Sequence, residues 1–124
     1  MVRLERSVKK QSDYRVKSVT LSAGGTGSVT FDVPSNQVWR VYKVIVEAPP
    51  LVTVTIKYKE ELTGNTVSMD SRYAYESPFE FKKTATDQHL VITEDRSLTV
   101  EMNNPYGASV TPEVKIEFLK MWEE

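Results

Sequence analysis

The sequence predicts an all-β protein, an antiparallel β-sandwich of two sheets and of jelly-roll type, with about eight or nine short strands. Three observations lead to this fold class. Apolar residues recur at every second position through most of the chain, and β-branched residues dominate the apolar set. Residues that favour turns separate these segments every ~8–12 residues. No segment has a convincing helical period.

The clearest strand is the segment LVTVTIKYK, residues 51–59, which alternates strictly. Val54 and Ile56 fall on one face and Thr55 on the other, so this strand has one dry and one wet side. The same alternation predicts strands in SVTFDV, SLTVEM and EVKIEFLK. The predicted core consists of Val29, Phe31, Trp39, Val41, Val54, Ile56, Leu98, Val100, Ile116 and Phe118.

The segment VWRVYKVIVE, residues 38–47, differs because it carries apolar side chains in both phases of the alternation. Trp39 and Val41 lie in one phase, and Val44 and Val46 lie in the other. This pattern predicts a central strand or one that is covered on both faces.

Weaker strands are expected at residues 14–21, 66–70, 79–82 and 89–93. The alternation slips near Ser18, which predicts a β-bulge there. Glycine, proline and asparagine at residues 23–27, 33–36, 48–50, 63–65 and 103–107 predict the turns between strands.

Charge divides the chain into a basic arm, residues 1–13, and a β-sandwich domain, residues 14–124. The first 20 residues hold six cationic and two acidic side chains, a net charge of +4, and the remainder carries −5. At 124 residues the chain has the length of one domain.

The sequence offers little for catalysis or for metal binding, so we expect no enzyme, no cofactor and no metal. Cysteine is absent, and His89 is the only histidine, which excludes the usual zinc sites and a thiol nucleophile. No serine lies in a G-x-S-x-G context. Glu94 and Asp95 form an adjacent pair rather than a calcium loop. We also expect neither a signal peptide nor a membrane-spanning segment.

The segment MDSRYAYESPF is the first candidate contact site. It combines aromatic side chains, which stack on sugar rings or anchor protein contacts, with charged hydrogen-bonding groups. In the alternative interpretation one tyrosine is part of the core and the other caps the end of the sandwich. The candidate residues are Asp70, Arg72, Tyr73, Tyr75 and, from a separate turn, Tyr106.

The arm is the second candidate, with Arg3, Leu4, Arg6, Lys9 and Lys10 as its residues. Its cations could neutralise the phosphates of a nucleic acid. Its alternating apolar residues favour instead the addition of a strand to a neighbouring subunit. A solvated tail without a partner is the third interpretation. Trp122, near the C-terminus, predicts a tail contact with the domain's own edge or with another subunit.

The order of features in VTFDVPSNQVWRVYKVIVEAP and HLVITEDRSLTVEMNNPYGASVTPEVKIEF resembles the small single jelly-roll or β-sandwich proteins of virus particles, especially those of phages and archaeal viruses. The resemblance implies a non-enzymatic structural protein, either a capsid subunit or a decoration or spike component. Such a protein is made in the host cytoplasm and resides in the virion. Its partners would be copies of itself and other virion proteins, contacted through the N-terminal arm and the C-terminal tail.

Carbohydrate-binding modules share the same order of strands and turns. The alternative function is therefore a β-sandwich module that binds a glycan through Tyr73 and Tyr75.

Overall fold

The structure, a computed structural model, describes residues 8–59, 66–73, 79–82 and 90–123, with side chains for residues 8–58 and 91–123. These ranges contain nine β-strands. They are β1 (Val8–Ser18), β2 (Thr26–Asp32), β3 (Gln37–Glu47), β4 (Thr53–Lys59), β5 (Thr66–Tyr73), β6 (Phe79–Lys82), β7 (Leu90–Ile92), β8 (Ser97–Asn103) and β9 (Glu113–Glu123).

The strands form two antiparallel sheets. The five-stranded sheet has the order β1-β9-β3-β6, with β7 also paired to β3, and the four-stranded sheet has the order β2-β8-β4-β5. The pairing is nested about the middle of the chain: β4 pairs with β5, β3 with β6 and β7, β2 with β8, and β1 with β9. A single long hairpin folded into two layers has this topology, which confirms the predicted jelly-roll sandwich.

The core lies between the two sheets. All ten predicted core residues are buried, from Val29 in β2 to Phe118 in β9, which confirms the alternation from which they were inferred. The rings of Trp39 and Phe118 stack with centroids 4.0 Å apart and an interplanar angle of 15°. The strict alternation of the sequence therefore located the core face of β2, β4, β8 and β9.

Strand β3 is central, which confirms one of the two predicted alternatives. Its register with β9 shifts between Val41 and Lys43, so a β-bulge turns the apolar residues that follow it back toward the core. Trp39 and Val41 are buried before the bulge, and Val44 and Val46 are buried after it. The two apolar phases of the sequence are thus one core face, interrupted by one extra residue.

Strand β1 begins at Val8, so residues 8–13 of the predicted arm pair with β9. Its register with β9 also runs without a shift through Ser18, so the predicted bulge there is wrong. The alternation slips because residues on the core-facing side of β1 change from charged, at Arg15 and Lys17, to apolar, at Val19 and Leu21.

One end of the sandwich is closed by two interlocked turns. The hydroxyl of Ser35 donates to Asp95 over 2.9 Å, and the backbone N–H of Asn36 donates to Glu94 over 2.7 Å. The acidic pair before β8 therefore holds the turn between β2 and β3.

The opposite end is organised around Asn104, which is fully buried. Its Nδ2 donates to the backbone oxygens of Leu21, Ser22 and Ala108, and its Oδ1 accepts from the N–H of Tyr106. This side chain joins the loop after β1 to the loop after β8. In the described part of the chain, no helix is long and apolar enough to cross a membrane.

Candidate assembly surface

Strand β1 is the end strand of the five-stranded sheet. One of its edges pairs with β9 along its whole length, from Val8 opposite Glu123 to Ser18 opposite Glu113. Within the described ranges, no strand pairs with its other edge. An edge of this length presents a row of backbone donors and acceptors that another strand can pair with.

The core-facing side of β1 is charged rather than apolar. Arg15 lies opposite the buried Ile116, and directly opposed residues of an antiparallel pair point to the same side of the sheet. The guanidinium of Arg15 accordingly lies over the rings of Trp39 and Phe118, at 5.4 and 5.6 Å from their centroids. Lys17 lies 5.5 Å from the centroid of the Phe31 ring. Charged side chains of β1 thus cover the aromatic residues at this edge of the core.

Asp13 is the acidic member of this charged row. Its carboxylate lies 2.9 Å from the guanidinium of Arg15 and 3.6 Å from the ammonium of Lys120. The hydrogen bond from Arg15, together with that from the backbone N–H of Tyr14, holds the pKa of Asp13 below its ordinary value. Asp13 is therefore ionised at neutral pH, and it is the one negative charge in a row that also contains Lys9, Arg15 and Lys17.

The opposite, solvent side of β1 carries exposed apolar side chains beside Lys10, Ser12 and Ser18. Val8 is 55% exposed, Tyr14 58% and Val16 44%. Exposed apolar side chains on the outer side, with charged ones toward the core, invert the usual rule for a sheet on a core. Further apolar side chains are half-buried across the outer face of the five-stranded sheet: Val38 and Ile45 of β3, Val91 of β7, and Leu119 and Met121 of β9. Charged side chains lie among them, such as Lys115 and Glu117, which are 3.8 Å apart.

The outer face of the four-stranded sheet is polar by contrast. Thr30 and Thr99 join their hydroxyls at 3.2 Å across β2 and β8. Lys57 and Glu101 form an ion pair at 3.2 Å across β4 and β8. The two outer faces of the sandwich therefore differ in chemistry, and the face that includes β1 is the one suited to a protein contact.

Trp122, the predicted tail contact, is half-buried in β9, opposite Gln37 of β3 and Lys9 of β1. The ammonium of Lys120 lies 5.1 Å from the centroid of its ring. Trp122 and Met121 line an open groove of about 1030 Å³ at the end of the sheet, next to Val8. Trp122 lies on the core-facing side of β9, as Lys9 does on β1, whereas Met121 lies on the outer face.

The predicted arm residues lie partly within this surface. Lys9 and Lys10 are exposed residues of β1, opposite Trp122 and Met121. Arg3, Leu4 and Arg6 lie outside the described residues.

The predicted contact loop begins as a strand. Asp70, Arg72 and Tyr73 belong to β5, where Asp70 pairs with Ile56 and Tyr73 with Thr53. Tyr75 lies outside the described residues. The strand end at Tyr73 lies at the same end of the sandwich as Tyr106, because Thr53 pairs with both Tyr73 and Asn103.

Tyr106 has a structural role at that end. Its hydroxyl donates to the backbone oxygen of Pro50, and its ring packs against the core. Its own backbone oxygen accepts from the N–H of Gly24, a glycine at φ +66°. Tyr106 thus connects three loops rather than standing free for a ligand.

Metal binding was expected to be absent, and the acidic residues whose side chains are described lie apart from one another or in pairs. No group of three or more histidine, cysteine, aspartate or glutamate side chains there has the arrangement of a metal site. His89 lies outside the described residues.

Sequence reasoning missed Asp13, Tyr14, Arg15 and Val16 as the centre of the candidate surface. The signal is the segment DYRVK, in which charged and apolar residues alternate strictly. From the alternation alone, the apolar residues of this segment would be assigned to the core. They point to solvent instead because β1 lies at the edge of the sheet.

No family model matches this chain, and no curated relative does. Among solved structures, a mitogen from Yersinia pseudotuberculosis is similar with a TM-score of 0.51 at 5% identity, over 84% of each chain. The core of Drosophila NLP, whose structure concerns pentamer formation and histone binding, has a TM-score of 0.42 at 18% identity, over 86% of this chain and 97% of that one. A designed double-stranded β-helix has a TM-score of 0.30 at 13% identity, over 89% and 99%. The likeness to the mitogen shows the fold alone.

Proposed function

We propose that this protein is a non-enzymatic structural subunit of a virus particle, which assembles with copies of itself through β1 and the outer face of the five-stranded sheet. The observation that carries this proposal is the inverted chemistry of β1, an open sheet edge whose apolar side chains point to solvent.

The physical argument begins with the edge. Soluble proteins blunt long sheet edges or cover them, because an open edge with apolar side chains invites aggregation. Val8, Tyr14 and Val16 are all exposed on β1. A second copy that covers this edge shields the apolar side chains from water and prevents aggregation. The edge then forms a specific contact.

The fold is compatible with this role. Jelly rolls form capsid subunits and also lectin domains, so the fold by itself does not decide between a structural protein and a glycan-binding module. The structural role is favoured by the apolar surface around β1. The glycan role depends on Tyr73 and Tyr75. At the same end, Tyr106 already donates its hydroxyl to the backbone oxygen of Pro50.

Light scattering over a concentration series, paired with negative-stain electron microscopy, tests the proposal. We expect the mass of the wild-type particle to rise above 14.1 kDa in steps that correspond to a defined oligomer or shell. Val16→Lys should abolish this rise, because it places a charge within the apolar outer side of β1. Ser28→Lys is the matched control, since Ser28 is an exposed residue of the end strand β2 in the other sheet.

Two results would contradict the proposal. The first is a wild-type protein that stays monomeric at millimolar concentration. The second is a glycan-array signal from the monomer that is lost in a Tyr73→Ala, Tyr75→Ala double variant, which would favour the glycan-binding module.

A further inference from the structure

We infer that two copies pair directly through β1, antiparallel, about a two-fold axis that passes beside Tyr14. The two five-stranded sheets then form one continuous sheet. This inference rests on the proposed self-assembly and specifies its partner surface, a second copy of β1.

The pleat of the strand limits how two copies can pair. Opposed residues of an antiparallel pair point to the same side of the sheet, and a two-fold axis perpendicular to the sheet preserves its two sides. Core-facing residues of one β1 therefore oppose core-facing residues of the other. The pairing must be centred on a residue, and the registers that keep most of β1 paired are centred on Ser12, Asp13 or Tyr14.

These three registers differ in which charged residues oppose each other. The core-facing residues of β1 are Lys9, Gln11, Asp13, Arg15 and Lys17. A register centred on Asp13 places the two Asp13 carboxylates opposite each other, and Lys9 opposite Lys17. A register centred on Ser12 places Lys9 opposite Arg15. Directly opposed like charges destabilise a strand pair.

The register centred on Tyr14 has no opposed like charges. Asp13 of each copy lies opposite Arg15 of the other, and Gln11 lies opposite Lys17. On the outer side, Tyr14 faces Tyr14 of the second copy, and Ser12 faces Val16. Each opposite-charge or apolar pair of this kind contributes on the order of 0.2–1 kcal/mol. The charges of β1 are thus self-complementary in one long register.

Within one copy, the backbone N–H of Tyr14 donates to Asp13 and its C=O accepts from Arg15, so pairing at the axis exchanges these two hydrogen bonds for bonds between the copies. The carboxylate of Asp13 already lies 2.9 Å from the guanidinium of Arg15. Antiparallel pairing about Tyr14 brings a second such pair beside the first, in the opposite direction. The four charges then alternate in sign across the axis and form a closed network at the edge of the core.

Cysteine cross-linking tests the register, and the chain contains no cysteine of its own. Tyr14→Cys should form a disulfide-linked dimer under mild oxidation, because the two substituted residues oppose each other at the axis. Ser12→Cys alone should not, since its two copies lie four positions apart, about 14 Å along the strands. An equimolar mixture of Ser12→Cys and Val16→Cys should link as a heterodimer.

Charge reversal tests the pairing without a covalent bond. Asp13→Arg places two arginines opposite Arg15 residues, and Arg15→Asp places aspartates opposite Asp13, so each variant alone should be monomeric. An equimolar mixture should restore dimers, because every opposed pair then has opposite charge. Circular dichroism of each variant alone checks that the sandwich still forms.

The outcomes separate this inference from the function on which it rests. If the wild-type protein does not self-associate, both fail. If it assembles but Tyr14→Cys links no better than Ser12→Cys, or the mixed charge variants stay monomeric, the β1 pairing is overturned and the structural role stands.

Discussion

The guanidinium of Arg15 lies over the ring of Trp39, 5.4 Å from its centroid, at the open side of the sandwich. Trp39 is 2% exposed, and Arg15 belongs to a strand without a single buried residue. A charged side chain of β1 therefore covers the aromatic residues at this edge of the core. Its long aliphatic stem and its planar cation both suit this position.

Replacing Arg15 with alanine should lower the free energy of unfolding by about 1–2 kcal/mol, because the stacked rings of Trp39 and Phe118 lose their cover. Urea denaturation followed by tryptophan fluorescence measures the loss. Arg40→Ala is the matched control, since Arg40 is an exposed residue on the outer face of β3. Equal effects of the two substitutions would show that Arg15 does not cover the core.

Asp13 should make the stability depend on pH. Its pKa is lowered in the folded protein, chiefly by the hydrogen bond from Arg15, so the carboxylate stabilises the fold at neutral pH. This contribution disappears as the pH falls through the folded pKa, below about 3.8. Asp13→Asn should therefore melt at a lower temperature than the wild type at pH ~7, with the gap closing as the pH falls through the lowered pKa of the folded protein. A gap of constant size across this range would contradict the account of Asp13.

Asn104 should be the most sensitive polar residue among those whose side chains are described. Asn104→Ala removes the hydrogen bonds that this buried amide donates to Leu21, Ser22 and Ala108 and the one that it accepts from Tyr106, which should cost about 2–3 kcal/mol. Asn103→Ala, the neighbouring control, removes one exposed hydrogen bond to Thr26 and should change stability by less than about 0.5 kcal/mol. If the denaturation curves of the two variants coincide, the hydrogen bonds of Asn104 contribute little to stability.

The core should respond to truncation as a closely packed interior does. Phe31→Ala or Ile116→Ala should cost about 2–5 kcal/mol, because each leaves a cavity at a site that is at most 2% exposed. Leu51→Ala, at a residue that is 45% exposed, should stay within about 0.5 kcal/mol of the wild type. Thermal or urea denaturation measures these changes in stability. If Ile116→Ala is as stable as the wild type, the core lies elsewhere.

The sequence predicted the fold class and the core because apolar and polar residues alternate along a strand as buried and exposed side chains do. In β4 and β8 one side of the strand faces the core along its whole length, as at Ile56 and Val100, so the pattern and the structure agree. In β3 the alternation predicted a central strand but not the β-bulge next to Val41, which shifts the phase where the sequence has no glycine or proline.

The candidate surface was harder to predict because it depends on which strand lies at an edge. Tyr14 and Val16 have the pattern of core residues, and only the pairing of β1 with β9 shows that they point to solvent. Strand order results from contacts between residues far apart in sequence. No local pattern in DYRVK contains that information.

Hydrogen exchange of the β1 amides as a function of protein concentration tests the central claim most directly. If β1 is the assembly contact, amides between Lys10 and Ser18 gain protection as the concentration rises, because their open edge becomes hydrogen-bonded in the assembled state. Amides of β2, the end strand of the other sheet, should keep the same protection. An increase in particle mass without any change in β1 protection would contradict the account.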